Sequence, residues 1–159
     1  GFDESNTLPY DNFVNELVND IMPYMAKNYS VLEGKENTAV TGFSMGGRES
    51  IAIGIQRPDL FGYVGAIAPA PGLIEASDKF TTHAGQFKAD EMKFTNEEPS
   101  IFMVCAGDSD KVVGTFPKSY HELFIKNEVN HIWWEIPGSD HGDPAISSGM
   151  YNFAKYLYK

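Results

Sequence analysis

Thr41-Gly42-Phe43-Ser44-Met45-Gly46-Gly47 has the form G-x-S-x-G, with an apolar run before it and a helical pattern after it. Small residues two before and two after a serine let the backbone turn sharply from strand to helix, which lifts the hydroxyl clear of a sheet. Asn37-Thr38-Ala39-Val40-Thr41 reads as the buried strand entering that turn. Ile51, Ala52 and Ile55 then fall on one face at helical spacing. The helix is expected to stop at Arg57, because Pro58 pushes the residue before it out of the helical region. Strand, tight turn and helix are the context the motif demands, and they make Ser44 the candidate nucleophile. The bland alternative is a glycine-rich helix start with an idle serine.

A serine hydroxyl is a poor nucleophile unless a base takes its proton. Of the histidines, His121 lies in a helical stretch and reads as a surface or packing residue, and His131 opens a strand and reads as structural. His83 lies in a polar loop within reach of a substrate, with nothing to single it out. His141 sits in Pro137-Gly138-Ser139-Asp140-His141-Gly142-Asp143-Pro144, a loop at the C-terminal end of the last strand. Catalytic groups of open parallel sheets gather at those ends, so His141 is the candidate base. Asp140, His141 and Asp143 leave a metal-dependent hydrolase as a weaker alternative, since the stretch holds one histidine and no H-x-x-x-H pattern supports it.

The third member must hold the imidazole in the right tautomer. The apolar run Ile101 to Ala106 ends in Gly107-Asp108-Ser109-Asp110-Lys111-Val112-Val113, where two acids compete. Asp110 fits a G-x-x-D-x-x-V arrangement, beyond the turn and before an apolar anchor. Asp108 lies tighter in the turn, where it can cap backbone amides. Asp110 is favoured. The chain order Ser44, Asp110, His141 is that of the α/β-hydrolases and differs from the other two well-known serine hydrolase orders.

The chain resembles the esterase-D-like branch of the α/β-hydrolases, and within it the feruloyl (cinnamoyl) esterase domains of carbohydrate esterase family 1, as found attached to bacterial xylanases. The likeness is carried by Tyr10-Asp11-Asn12-Phe13, Ile21-Met22-Pro23-Tyr24, Asn28-Tyr29-Ser30-Val31, the serine turn, Phe61-Gly62-Tyr63-Val64-Gly65, Gly107 to Asp110 and Gly138 to Gly142. It implies a mostly parallel sheet with helices on both faces. It also implies a triad of Ser44, Asp110 and His141, an oxyanion donor in the Met45 backbone N–H, and no cofactor. The implied reaction releases hydroxycinnamic acids from arabinose side chains of xylan, in a secreted or extracellular setting and beside other carbohydrate-active domains. Acetylated xylan, a siderophore ester and S-formylglutathione stay open as substrates, as does a catalytically silent carbohydrate-binding or scaffold role, since fold alone does not assign function.

The strands read from the sequence cover 38–43, 63–69, 100–106 and 130–136. The family pattern has further strands upstream, one of whose loops supplies a second oxyanion donor. The 159 residues are therefore expected to be one domain, the C-terminal portion of a longer α/β-hydrolase domain, with 38–43 left as a sheet edge. A helix is expected over 10–29, with Phe13, Val14, Leu17, Val18 and Ile21 as its apolar stripe and a kink or restart at Pro23. Further helices are expected over 116–127, with Tyr120, Leu123 and Phe124 inward, and over 145–158, with Met150, Phe153, Ala154 and Leu157 buried. Trp133 and Trp134 must point to opposite faces of their strand and read as core. Residues 70–99 are the least regular part. Pro71, Leu73 and Phe80 are the candidates there for lining an acyl site.

Hydrophobic residues make up 42% of the chain, enough for a packed core, and the net charge is −10. That charge argues against nucleic acid, which needs a basic footprint, and against an anionic membrane surface. Cys105 lies inside a predicted strand and reads as a small apolar core residue.

Overall fold

The computed structural model describes residues 10–79 and 81–159. Four strands form one parallel sheet: β1 (Ala39–Phe43), β2 (Tyr63–Ile67), β5 (Ile101–Gly107) and β6 (Ile132–Ile136), in the order β1-β2-β5-β6. A small antiparallel hairpin, β3 (Ala76–Ser77) and β4 (Thr82–His83), stands apart from it in the stretch expected to be irregular. The helices are α1, a run of Phe13–Glu16, Leu17–Ile21 and Met22–Asn28, then α2 (Met45–Gln56), α3 (Phe116–Lys126) and α4 (Ala145–Ala154). Among the described residues no helix is long and apolar enough to cross a membrane.

Side-chain alternation sorts the sheet into two faces. Val64, Ala66, Phe102 and Val104 point to one core, which takes Val14 from α1, Ile51, Ala52 and Ile55 from α2, and Tyr120 and Phe124 from α3. Tyr63, Ile67, Met103 and Cys105 point to the other, against Ala145 and Phe153 of α4. A parallel sheet covered on both faces is the arrangement its near-continuous apolar strands require. Trp133 packs into the first core and Trp134 into the second, as alternation demands. Burial pushes the Cys105 thiol up to about 12, so it packs as an inert apolar group.

Several sequence expectations need correction. β2 ends at Ile67, not 69, because Ala68 takes a positive φ of 45° and turns the chain. In α1 the middle segment Leu17–Ile21 is a π-helix, in which the Met22 N–H reaches back to the Leu17 carbonyl. Pro23 has no N–H to continue the α ladder, and a wider turn just before it shifts the apolar stripe. Val14, Leu17 and Val18 meet the core, while Phe13 and Ile21 are exposed. In α4 the inward face follows Ala145, Gly149 and Phe153. Met150 and Ala154 are exposed, and the helix stops at Ala154, short of 158. Gly149 lies against Ile67 and Cys105 and lets α4 approach the sheet closely, which rotates Met150 outward.

Candidate functional site

Ser44 sits between β1 and α2 with φ 58° and ψ −116°, a backbone that L-residues rarely adopt. Its N–H donates to the Ile67 carbonyl at 2.9 Å, which anchors the turn to β2. A Cβ at Gly42 would run into the backbone of Gly46, so Gly42 must be glycine for the chain to fold back so tightly. Gly46 has open space where a Cβ would stand, whereas Gly47 lies against the Ile67 carbonyl. The close-approach glycines are thus Gly42 and Gly47, and not the pair flanking Ser44. The Ser44 side chain makes no cap bond to α2 and is left for other partners.

The structure brings Ser44, Asp110 and His141 together. His141 Nε2 lies 3.0 Å from Ser44 Oγ, and His141 Nδ1 lies 2.7 Å from Asp110 Oδ2. A carboxylate can only accept, so Nδ1 carries the proton and Nε2 presents its lone pair to the serine hydroxyl. The other Asp110 oxygen accepts the N–H groups of Val112 and Val113 at 2.8 and 3.1 Å. Phe43 packs against the His141 ring with centroids 4.5 Å apart. Asp108 does not cap its own turn, where Asp110 takes the backbone amides: its Oδ1 accepts the Gly138 N–H at 2.7 Å and the Ser109 hydroxyl at 2.9 Å, pinning the loop that carries His141. That loop can come so near because Gly107, lying against Ser139, has no side chain.

Ser44 borders a cavity of about 180 Å³ with mainly apolar walls from Met45, Ala70, Pro71, Val112 and Val113. This is smaller than the ~300–1,000 Å³ of a drug-sized site. Met45, as the first residue of α2, has its N–H among the helix-start donors left without a partner four residues back. Pro71 lines the cavity. Leu73 does not: it is fully buried in the core, with its N–H on the Tyr120 hydroxyl at 3.4 Å. The backbone turns there with Gly72 at φ 116° and sends the Leu73 side chain inward. Phe80 lies outside the described residues.

The cavity has a polar side made of His83, already read as within reach of a substrate, together with Arg48, Asp78 and Thr81, which the sequence did not disclose. His83 Nε2 donates to Asp78 Oδ2 at 3.1 Å, and the Thr81 N–H donates to Asp78 Oδ1 at 2.8 Å. Asp78 follows no strand of the main sheet, and the only signal for Arg48 was a charge, beside Glu49, one turn after Ser44 on a helix that is apolar or glycine over 51–55. A second, more polar hollow is bordered by Ser109, Lys111, Gly138, Asp140 and His141. The remaining histidines stay away from Ser44: His121 Nδ1 and His131 Nε2 share a 2.7 Å bond, and His121 stacks on Trp133. Among the described residues no group of three or more His, Cys, Asp or Glu is arranged to hold a metal ion.

A family model described as putative esterase matches residues 5–145. A ferulic acid esterase of carbohydrate esterase family 1 from Anaeromyces mucronatus, solved in complex with ferulic acid, is 51% identical with a TM-score of 0.91 over 94% of this chain and 55% of its own. An endo-1,4-beta-xylanase/feruloyl esterase from Xylanibacter ruminicola is 29% identical over 65% of this chain and 12% of its own length. An S-formylglutathione hydrolase from Staphylococcus aureus, at 12% identity and a TM-score of 0.72 over 89% of this chain and 62% of its own, shares the α/β-hydrolase fold. The chain spans about half the length of the Anaeromyces structure and about an eighth of the Xylanibacter protein.

Proposed function

Because the chain belongs to the putative esterase family, we propose that it carries the catalytic centre of a serine carboxylesterase acting on feruloyl or related cinnamoyl esters of plant cell-wall polysaccharide. The observation that carries this reading is the hydrogen-bonded series Ser44–His141–Asp110 beside an apolar cavity. Ser44 Oγ attacks the ester carbonyl carbon while His141 Nε2 takes its proton. Asp110 keeps the Nδ1 tautomer and stabilises the imidazolium. The Met45 N–H donates to the oxyanion, a contribution worth about 100- to 1,000-fold per donor. Collapse of the tetrahedral intermediate breaks the bond to the alcohol, which leaves with the proton from His141. Water then repeats the sequence on the acyl-enzyme and frees the acid.

The apolar cavity suits an aromatic acyl group, and the polar hollow that also borders His141 suits the leaving sugar. The ferulic acid esterase relatives support that choice of acid. The test is hydrolysis of methyl ferulate and p-nitrophenyl acetate by the whole protein and its Ser44→Ala variant. Ferulate turnover is expected to fall at least about 10⁴-fold in the variant, as for other serine triads. Undiminished turnover would sink the nucleophile assignment, and cleavage of acetate alone would move the substrate elsewhere.

On the same reading the chain is the C-terminal portion of a longer hydrolase domain. Support comes from its share of the relatives' length and from β1, which pairs only with β2 among the described residues. An intact mass of the natural protein near 17.6 kDa would refute this. The xylanase/feruloyl esterase relative supports a role in xylan breakdown beside other carbohydrate-active domains, and we propose that this role is extracellular. Ferulate esterase activity confined to the cell interior would count against it.

A further inference from the structure

Arg48 lies one turn past Ser44 on α2 and is 1% exposed. A guanidinium so deeply buried is costly unless acceptors surround it. Nε donates to Glu49 Oε1 at 2.9 Å, Nη2 to Asp11 Oδ1 at 2.7 Å and Nη1 to the Pro71 carbonyl at 3.2 Å. Gln86 Nε2 donates to both carboxylates, at 3.1 and 3.2 Å. Burial pushes the Asp11 and Glu49 carboxyls above their usual range, with Arg48 opposing that rise. Arg48 thus joins the helix of the nucleophile, the segment just before α1 and a wall of the cavity.

The Ser44 carbonyl accepts two N–H groups, from Arg48 and from Ala70, each at 3.0 Å. A ring therefore closes from the Ser44 carbonyl to Ala70, along the chain to the Pro71 carbonyl, across to the guanidinium and back through the Arg48 N–H. It ties the strained serine turn to the cavity wall without touching the reactive hydroxyl. From the other side the Tyr120 hydroxyl donates to the Ala70 carbonyl at 3.0 Å and accepts the Leu73 N–H. Residues 70–73 are held between Arg48 and Tyr120.

We propose that Arg48 is a positioning residue that sets the spacing between the serine turn and the Pro71 wall, and thereby the preference for an aromatic acyl group over a short one. The assignment rests on the serine-esterase reading above. Lysine is no substitute: one ammonium point cannot serve three acceptors lying in three directions, as the arginine fork does.

The test uses the whole protein carrying Ser44→Ala, so that methyl ferulate binding is read without turnover. Adding Arg48→Lys, which keeps the charge facing Asp11 and Glu49, is expected to raise the Kd on the order of tenfold, the usual worth of one charge-assisted hydrogen bond. Asp11→Ala lies outside the cavity lining and is expected to act in the same direction, because it frees the far end of the guanidinium. The two changes together should do little more than the larger alone, as within one network. With Ser44 intact, the ratio of kcat/KM for methyl ferulate over p-nitrophenyl acetate should fall by a similar factor in Arg48→Lys, through KM. An unchanged Kd, or equal losses on both esters, overturns the role of Arg48. Lack of serine-dependent turnover overturns the esterase reading, and the Kd comparison still decides on Arg48. No methyl ferulate binding in the Ser44→Ala protein overturns the role of Arg48, while serine-dependent turnover alone decides the esterase reading.

Discussion

Two histidine–aspartate pairs border the region around Ser44, and only one of them reaches it. Asp110 meets His141 at 2.7 Å through Nδ1, and Asp78 meets His83 at 3.1 Å through Nε2. Both aspartates are anchored alike, with the second oxygen taking backbone N–H groups of the next few residues. Both pairs are largely removed from solvent, with side-chain exposures of 14% and 0% for His141 and Asp110 against 9% and 11% for His83 and Asp78. What differs is the nitrogen left over. In His141 it is Nε2, 3.0 Å from Ser44 Oγ. In His83 it is Nδ1, which lies beside Gly72. An imidazole on a carboxylate, largely removed from solvent, is therefore common to the proposed acid–base pair and to a wall element. The direction of the free nitrogen tells them apart.

The sharpest way to break that comparison is to neutralise each aspartate. Asp110→Asn is expected to lower kcat about 10⁴-fold by spoiling the tautomer. Asp78→Asn should cost no more than about tenfold, the range of a single hydrogen bond in a cavity wall. Steady-state kinetics on methyl ferulate checks both, and comparable losses would mean that the two pairs are not different devices.

Next in size is the serine turn, which puts Ser44 within reach of one histidine and not the other. Gly42→Ala is expected to destabilise by about 3 kcal/mol, because the new methyl meets backbone that cannot yield. Gly46→Ala, with open space at that point, should stay within about 1 kcal/mol and lean toward stabilising, since alanine is the better helix former. Urea unfolding midpoints separate the two. A tolerated Gly42→Ala would show that the turn can relax and that the distance to His141 is not set by close packing.

The smallest effect belongs to a third contact, His121–His131, which lacks a carboxylate. His131 Nδ1 donates to the Val129 carbonyl at 2.8 Å, so its Nε2 accepts from His121. Burial, and next the neighbouring His131, hold His121 below its ordinary value of 6.5, with Glu122 and Glu135 opposing. The unfolded chain then binds the proton more readily than the folded one. This contribution to stability is present above about pH 6.5 and is lost as pH falls through the lowered folded value. His121→Phe keeps a ring over Trp133 and should flatten that part of the stability curve, read from urea midpoints between about pH 7.5 and 5. An unchanged acid slope would refute the coupling.

Much of this architecture is legible residue by residue. The G-x-S-x-G turn and the apolar runs of β2 and β5 mark the strands, the resemblance to the esterases implies a mostly parallel sheet with helices on both faces, and that sheet is present. Periodicity failed where a local feature rotated an element: the π turn before Pro23 exposed Phe13 and Ile21, and close packing at Gly149 exposed Met150. Asp108 and Asp110 both follow β5 in a turn where either carboxylate can take backbone amides, so turn chemistry alone separates them weakly. The separation comes from the β6 loop, which lays Gly138 on Asp108 and His141 on Asp110.

By itself the sequence determined the order Ser44, Asp110, His141, the strand–turn–helix around Ser44 and the apolar faces of the sheet. These follow from spacing along the chain, which constrains what lies within a turn or one strand. Only the tertiary structure decided which nitrogen of which histidine faces Ser44, that Leu73 belongs to the core and Pro71 to the cavity, and that Arg48 gathers Asp11, Glu49 and the Pro71 carbonyl around one buried charge. Those partners are joined by contacts a few ångströms long between residues up to 97 positions apart. No local propensity or periodicity encodes such distances, because packing of the whole core sets them.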